Sequence, residues 1–334
     1  MKGKGWERWV AVLMVLPSII LIAIFVYGFI GFTTYVSLTK WASAAPDFTF
    51  VGLSNYQRIL FGSGIETQRF YIDIRNFVGF TSLFLLSSIV IGFGLALLLD
   101  SNIRGENLFR SIYLLPFALS FIVTGVVWRW LLTPGTPELG STGINKLFEY
   151  VGLGFLKPGW FTDPTVYYIH PDQGIGPFLN QIGLGFLTNA NWGFSVGTIS
   201  IVLAATWQLS GYVMALYLAG MRSIPHELRE AARVDGANEY QIVRHIYLPL
   251  LTPITLSVVI ILSAISLKLY DLTVAMSGSG PGFSTDTLAY NMFETTFKAT
   301  RFAWGAAIAI ILLILVSVLI IPYLRYSLRS ETAQ

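Results

Sequence analysis

The polar side chains set inside long apolar stretches are where this 334-residue sequence could do chemistry. Trp207, Gln208, Ser210 and Tyr212 fall together in one stretch, Ser263 and Ser266 in another, and Lys268, Tyr270 and Asp271 just beyond the second. An amide both donates and accepts, and an aromatic face offers a flat apolar wall, so this set suits a hydroxylated ring. The same groups also serve as bonds between helices, a role open to Gln208 equally. Lys268 and Asp271, three apart, suit an ion pair whose lysine reaches toward water. Gly211, Ala215 and Ala219 recur every fourth residue, the spacing of a packing seam between helices.

Other chemistries have nothing to stand on. The chain has no Cys, which excludes disulfides and thiol catalysis. His170, His226 and His245 are too scattered to make a zinc site, so no metal ligands are assigned. No phosphate-binding loop ending in Gly-Lys-Ser/Thr occurs, and Gly92-x-Gly94 and Gly174-x-Gly176 lack the rest of a dinucleotide fingerprint. No paired carboxylates or Ser/His/Asp arrangement has a local signature, so no catalytic residue is assigned and the chain is expected not to be an enzyme. A net charge of +3 gives no reason to expect nucleic acid.

The elements that must position these residues follow from composition. At 54% hydrophobic and 12% charged, the chain departs from the roughly 25% charged content of soluble domains. Six stretches of at least 18 residues lack Asp, Glu, Lys and Arg: 9–39, 76–99, 111–128, 173–221, 245–267 and 302–324. Each can hold a membrane-spanning helix, which needs about 20 apolar residues. The fourth is too long for one span, and its Gly- and Asn-rich first half places the span at 195–221. The first resembles a signal peptide with Ala42-Ser43-Ala44 as its cleavage site, but a signal core is about 7–15 residues, so an uncleaved span is expected.

Orientation follows from Lys and Arg. The N-tail (Lys2, Lys4, Arg8), the 101–110 turn (Arg104, Arg110), the 222–244 loop (Arg222, Arg229, Arg233, Arg244) and the C-tail (Arg325, Arg329) are densely basic and face the cytosol. Both termini are then cytoplasmic. Trp9, Trp41, Trp128, Trp130 and Trp304 lie near span ends, where an interfacial aromatic belt is expected, with Arg129 as an interfacial anchor.

The cytosolic segment 222–253 carries the densest pattern. Pro225 suits the first turn of a helix, Glu227 and Glu230 its N-terminal half, and Gly236 a left-handed stop. Leu228, Ala231 and Ala232 at i, i+3 and i+4 make a low apolar stripe, flanked by Glu227, Glu230 and Arg233. Such a stripe lets another protein approach closely; a short interfacial helix capping two spans fits the pattern as well. Pro249 and Pro253 predict a bend at the entry to the fifth span.

Glu230-Ala231-Ala232-x-x-Asp235-Gly236-Ala237, followed after eight residues by Ile246-x-Leu248-Pro249, resembles the EAA loop of ABC-importer permeases. Three further stretches resemble the maltose-type carbohydrate branch of that family: 50–56 (Phe-Val-Gly-Leu-Ser-Asn-Tyr), 110–116 (Arg-Ser-Ile-Tyr-Leu-Leu-Pro) and 278–288 (Gly-Ser-Gly-Pro-Gly-Phe-Ser-Thr-Asp-Thr-Leu). The usual Gly-Gly-Pro stands here as Ser279-Gly280-Pro281, and the 133–194 segment is longer than typical.

The resemblance implies an all-α integral membrane protein of six transmembrane helices with a cytosolic coupling helix. Its parts are an N-tail (1–8), a first span (9–39), an external segment (40–75), a core of five spans (76–325) and a C-tail (326–334). The core holds the external insertion 133–194 and the coupling loop 222–250. It further implies that Glu227, Glu230, Ala231, Ala232, Arg233, Asp235, Gly236 and Ala237 dock in a separate ATPase subunit, Glu230 on a basic group, with Gly236 shaping the turn. A second permease, two ATPases holding ATP and Mg, an external sugar-binding protein and a sugar are the expected partners, in an inner membrane. Trp207, Gln208, Ser210, Tyr212, Ser263, Ser266, Tyr270 and Asp271 are the expected substrate path. The 133–194 segment is either the binding-protein contact or a lid. A permease for another solute such as glycerol phosphate would need more basic residues at the pocket. A channel or secondary carrier would need an inverted repeat or a titratable relay.

Overall fold

The computed structural model describes residues 3–101, 103–136, 138 and 140–331. They fall into two compact units, one from the described parts of 1–67 and 291–315, the other from 68–290 and the described part of 316–334.

In the first unit α1 (Gly3–Ile22), a π-helical turn (Ala23–Gly28) and α2 (Phe29–Ser37) make one apolar rod that is largely exposed, with Val36 and Ser37 buried at its end. The chain leaving it is held by α3 (Ser54–Phe61), whose buried Asn55 donates to the Ser37 and Thr39 carbonyls at 2.9 and 2.8 Å. The helix α4 (Ile65–Asp100) starts eleven residues before the charge-free stretch at 76. Glu66, Arg69 and Arg75 set how deep the apolar part sits, but none of them stops a helix, so charge counting misses the real N-terminus.

The second unit takes up α4 from Gln68 and continues with α5 (Glu106–Leu114), a 3₁₀ turn at Pro116–Ala118 and α6 (Phe121–Leu131). The expected third span, 111–128, is therefore not one helix: its halves meet at 99°. Pro116 has no N–H to continue the ladder, Leu119 and Ser120 are extended, and Ser120 restarts a helix by accepting from the Val123 N–H at 3.3 Å. A count of charges cannot see that break.

Short elements fill the insertion after it: strands β1 (Gly135–Thr136) and β2 (Gly140–Ser141), α7 (Gly143–Tyr150), β3 (Val166–Tyr167), α8 (Gly176–Gln181) and β4 (Phe194–Ser195). The antiparallel pair β3–β4 clamps the insertion to the start of the next helix, with Val166 opposite Ser195. Trp160 donates to Asn145 at 2.8 Å and, with Phe161, packs on the central core.

That next helix, α9 (Val196–Ser223), is the axis of the unit, with two thirds of its apolar window buried. Ser195 caps it by accepting from Thr198 N–H at 3.0 Å. Beyond it lie α10 (His226–Val234), α11 (Glu239–Ile242), a π-helical turn (Val243–Tyr247), α12 (Leu248–Leu250), α13 (Thr252–Leu267) and α14 (Asp271–Met276). Last come α15 (Leu288–Phe293) and α16 (Phe302–Glu331). The α11–α12 segment meets α13 at 66°, the bend that Pro249 and Pro253 predict.

Among the described residues three helices are long and apolar enough to cross a membrane alone, and five segments if each bent pair counts once. The sixth expected span is the apolar part of α16, Phe302–Val318.

Phe80, Phe84, Leu209, Val213, Met214, Leu262, Leu272 and Met276 form the centre of the second unit's core. Buried polar groups pair across helices: Ser87 with Thr206 at 2.7 Å, Thr81 with Ser266 at 2.9 Å and Tyr217 with Thr255 at 2.9 Å. At one end, the buried Arg69–Asp286 pair at 2.6 Å, Asn76 on the Phe283 and Asp286 carbonyls, and Ser195 on the Ser284 carbonyl stitch the 278–288 loop to α4 and α9.

The expected seam on α9 is real at Gly211, where a Cβ would collide with the Tyr113 carbonyl of α5, but Ala219 is exposed. Gly211→Ala should therefore lower the thermal midpoint of the purified protein, at a cost of about 1–3 kcal/mol, whereas Gly94→Ala, where the added methyl meets nothing within 4 Å, should not. Equal midpoints for the two variants would show that the crossing is not tight. Gln208 Nε2 donates to the Leu119 carbonyl freed by the bend, at 2.8 Å. Gln208→Leu orphans that carbonyl, which should cost about 1–3 kcal/mol in thermal or denaturant unfolding; a wild-type unfolding curve would show the bond to be dispensable.

Candidate functional site

The short helix α10 stands off the core because of how it starts and stops. Pro225 breaks from α9 in an extended conformation (ψ 135°), and Glu227 lies in the first turn, where its charge complements the helix dipole. At the other end Gly236 takes φ +85°, and the Asp235, Gly236 and Ala237 N–H groups turn back onto the Ala231, Arg233 and Ala232 carbonyls at 2.9–3.1 Å. A side chain at Gly236 would meet nothing within 4 Å, so glycine is needed there for its backbone alone. Asn238 then starts α11 with a capping box closed by Gln241.

Of the residues expected on a docking face, Glu227, Leu228, Glu230, Ala231, Arg233, Asp235 and Gly236 are exposed, while Ala232 and Ala237 are half-buried. The outward stripe runs Glu227, Glu230, Ala231 and Val234, and Val234 is 87% exposed. Charge-and-Ala reading passed over Val234, although it sits three residues after Ala231. Ala232, Asp235, Gly236 and Ala237 line a hollow of about 280 Å³, closed by Gln241, Ile242, His245 and Ile246. Two of the charges have local partners: Glu230 meets His226 Nδ1 at 3.1 Å and Arg233 bonds Glu239 at 2.9 Å.

The inner side of α10 is held by Arg229, which sequence reading treated only as a cytosolic charge. Arg229 Nη1 donates to Asp100 Oδ2 at 2.7 Å and to the Tyr247 hydroxyl at 2.6 Å, and that hydroxyl donates to Asp100 Oδ2 at 2.7 Å. Burial pulls the Arg229 guanidinium toward neutrality, but Tyr247 and Asp100 outweigh it and hold its pKa above the ordinary value. No motif spacing connects residues 100, 229 and 247, so only the fold brings them together. Alongside, Leu97, Ser101, His226, Arg233, Glu239, Tyr240 and Val243 join these three in lining an open hollow of about 710 Å³.

The eight expected pathway residues do not converge on one cavity. Gln208, 2% exposed, is committed to the Leu119 carbonyl, and Ser210 is buried. Ser263 donates to the Val259 carbonyl at 2.6 Å, and Ser266 donates to the Ser263 carbonyl while accepting from Thr81. Tyr212 stacks on Phe117 with centroids 4.8 Å apart, and the 40% exposed Trp207 meets Trp128 edge-on at 6.0 Å. Tyr270 and Asp271 do line a shared hollow of about 430 Å³, where α13 breaks into α14 opposite Phe121 at the start of α6.

Lys268 lines the same hollow. The expected Lys268–Asp271 pair is not formed among the described ion pairs. The helix ends at Leu267, and the break at 268–270 removes the i, i+3 geometry that the pair would need. Ile261, Ala264, Ile265, Leu269 and Leu272 complete a wall that is apolar but for one cation, one carboxylate and one phenol.

Residues 88–330 match the family described as binding-protein-dependent transport system inner membrane component. A probable ABC transporter permease protein of Pyrococcus horikoshii is 40% identical over 320 residues, covering 96% of each chain. A xylose/arabinose import permease protein of Haloferax volcanii is 33% identical over 317 residues, covering 93% of this chain and 86% of the relative. The crystal structure of a bacterial ABC transporter involved in import of the acidic polysaccharide alginate shares the fold, with a TM-score of 0.71 at 20% identity over 98% of each chain. With more than half its length matched and its apolar helices arranged as described, the chain belongs to the binding-protein-dependent transport system inner membrane component family.

Proposed function

We propose that this chain is one permease half of an ATP-driven carbohydrate importer, and that α10 is the rod through which separate ATPase subunits drive it. The observation that carries the reading is α10 itself: a helix of nine residues, set off by Pro225 and Gly236, whose outward face is small and apolar between acidic side chains. The family membership and the xylose/arabinose permease of Haloferax volcanii support the transport class and the carbohydrate substrate.

In this reading a second permease completes the path, two ATPases hold ATP and Mg, and an external sugar-binding protein delivers the solute. The membrane is the inner membrane, and both termini are cytoplasmic. The docking residues are Glu227, Glu230, Ala231, Ala232, Arg233, Asp235, Gly236 and Ala237, to which the exposed Val234 is added. Closure of the ATPases moves α10, and the bend at Leu251 passes that motion into α13. The hollow at Lys268, Tyr270 and Asp271 is this chain's share of the substrate path: Tyr270 supplies a flat wall, and Lys268 and Asp271 supply a donor and an acceptor for hydroxyls. Trp207 and Tyr212 extend that path along α9, whereas Gln208, Ser210, Ser263 and Ser266 hold its walls in place.

Two measurements on the complete importer in proteoliposomes test this. Glu230→Lys or Gly236→Leu should cut ATPase stimulation by loaded binding protein about tenfold, within the usual range of coupling between sites. Full stimulation in assembled complexes would remove the coupling role. Tyr270→Ala should raise the half-saturating sugar concentration or slow uptake about 10-fold, the loss expected for an aromatic wall worth about 1.4 kcal/mol. Unchanged uptake kinetics across a sugar panel would place the path elsewhere.

A further inference from the structure

Covalently, α10 is joined to only two membrane helices, α9 before it and α13 after it by way of α11 and α12. Its inner face makes a third connection. Arg229 points away from the Glu227–Glu230–Val234 stripe and reaches Asp100, the last residue of the 36-residue α4, while Tyr247 closes the triangle from the entry to the fifth span. Side-chain exposure is 16% for Arg229 and 10% for Asp100. Charge-assisted bonds in such a setting are short and directional, and removing one partner strands the other charge away from water.

Neither neighbouring ion pair could do the same. Arg233–Glu239 lies within the loop and is half or more exposed on both sides, and Arg222–Glu106 joins α9 to α5 without touching α10.

What α4 touches gives this contact its reach. As a straight helix of 36 residues it runs about 54 Å. Along that length it bonds α13 through Thr81–Ser266, α9 through Ser87–Thr206, and the 278–288 loop through Asn76 and Arg69–Asp286. A displacement imposed at Asp100 is therefore delivered to the core helices and to the loop at the far end of α4. Arg229 Nε, buried and with no hydrogen-bond partner among the described atoms, leaves one donor in reserve for a shifted arrangement of the same three residues.

We propose that the Asp100–Arg229–Tyr247 triangle is a clamp that makes α4 a third output of the coupling helix, with Arg229 as its positioning residue. This rests on the coupling role of α10 and goes beyond it, because it assigns transmission to residues outside the docking face. The stripe that meets the ATPases is untouched when the clamp is broken, so docking and hydrolysis persist while the movement of the pathway fails.

The experiment uses the complete importer in proteoliposomes with Asp100→Asn, Asp100→Glu and Tyr247→Phe, the last removing a single hydroxyl. Solute carried per ATP hydrolysed is measured together with the half-saturating concentration of loaded binding protein. Asp100→Asn and Tyr247→Phe should lower the solute-to-ATP ratio about 5- to 10-fold, as for loss of one coupling contact, with stimulated ATPase activity and half-saturation within about twofold of wild type. Asp100→Glu should restore part of the ratio. An unchanged ratio in assembled complexes overturns the clamp. So does a fall of transport and hydrolysis in parallel with the amount of assembled complex, because a merely structural contact would do that. Failure of the underlying reading is separate: it appears as fully assembled Glu230→Lys complexes whose stimulated hydrolysis equals that of wild type.

Discussion

A polar group surrounded by apolar side chains has no water to satisfy it, and that constraint shapes the core from the Pro116 break outward. The break frees the Leu119 carbonyl, and Gln208 of α9 takes it. Because one helix supplies what another lacks, α5, α6 and α9 are fixed against each other by a bond that neither segment could make alone. The same logic recurs at Thr81–Ser266, Ser87–Thr206 and Tyr217–Thr255. At the end of the unit, the carbonyls of the 278–288 loop are taken by Asn76, Ser195 and Thr198. Gln208, Thr81, Ser87, Thr206, Tyr217, Thr255 and Ser266 are therefore spent on bonds between helical segments.

Rigidity obtained this way has a mechanical consequence. Close-packed cores shift between discrete arrangements rather than bending continuously. In this chain the places able to absorb a change are the helix breaks at Pro116–Ser120, Leu251 and 268–270, and two of them border the hollow lined by Phe121, Tyr270 and Asp271. On the coupling role proposed for α10, a push there reaches Leu251 through α11 and α12, so the stiff parts carry the motion and the breaks convert it into a change of shape beside the polar hollow.

What could be read from residues alone was the part governed by local pattern. Charge-free length together with the Gly- and Asn-rich run before 195 located α9 to within two residues, and Pro225 and Gly236 bounded α10, because each acts through its own backbone. The early start of α4 and the sharp turn of the third span were hidden, since charge content reports insertion depth and not helix continuity. The role of Gln208 was open between a pathway and a helix bond because an amide suits both, and only the position of the Leu119 carbonyl decides it. Lys268 and Asp271 misled through spacing: three residues apart on an unbroken helix they would pair, and the helix ends between them.

Asp100, Arg229 and Tyr247 were invisible for a different reason. Their interaction joins Asp100 to two residues more than a hundred positions away, and each alone is an ordinary residue at a helix end or loop. A charge at the last position of a span reads as an interfacial anchor, and an arginine in a basic loop reads as an orientation signal. Neither reading points from one residue to the other, yet the fold sets the last residue of α4 against the inner face of α10. Partial burial there makes their pairing directional. The bond between these two ends thus links the short helix α10 to α4, the longest of the described helices.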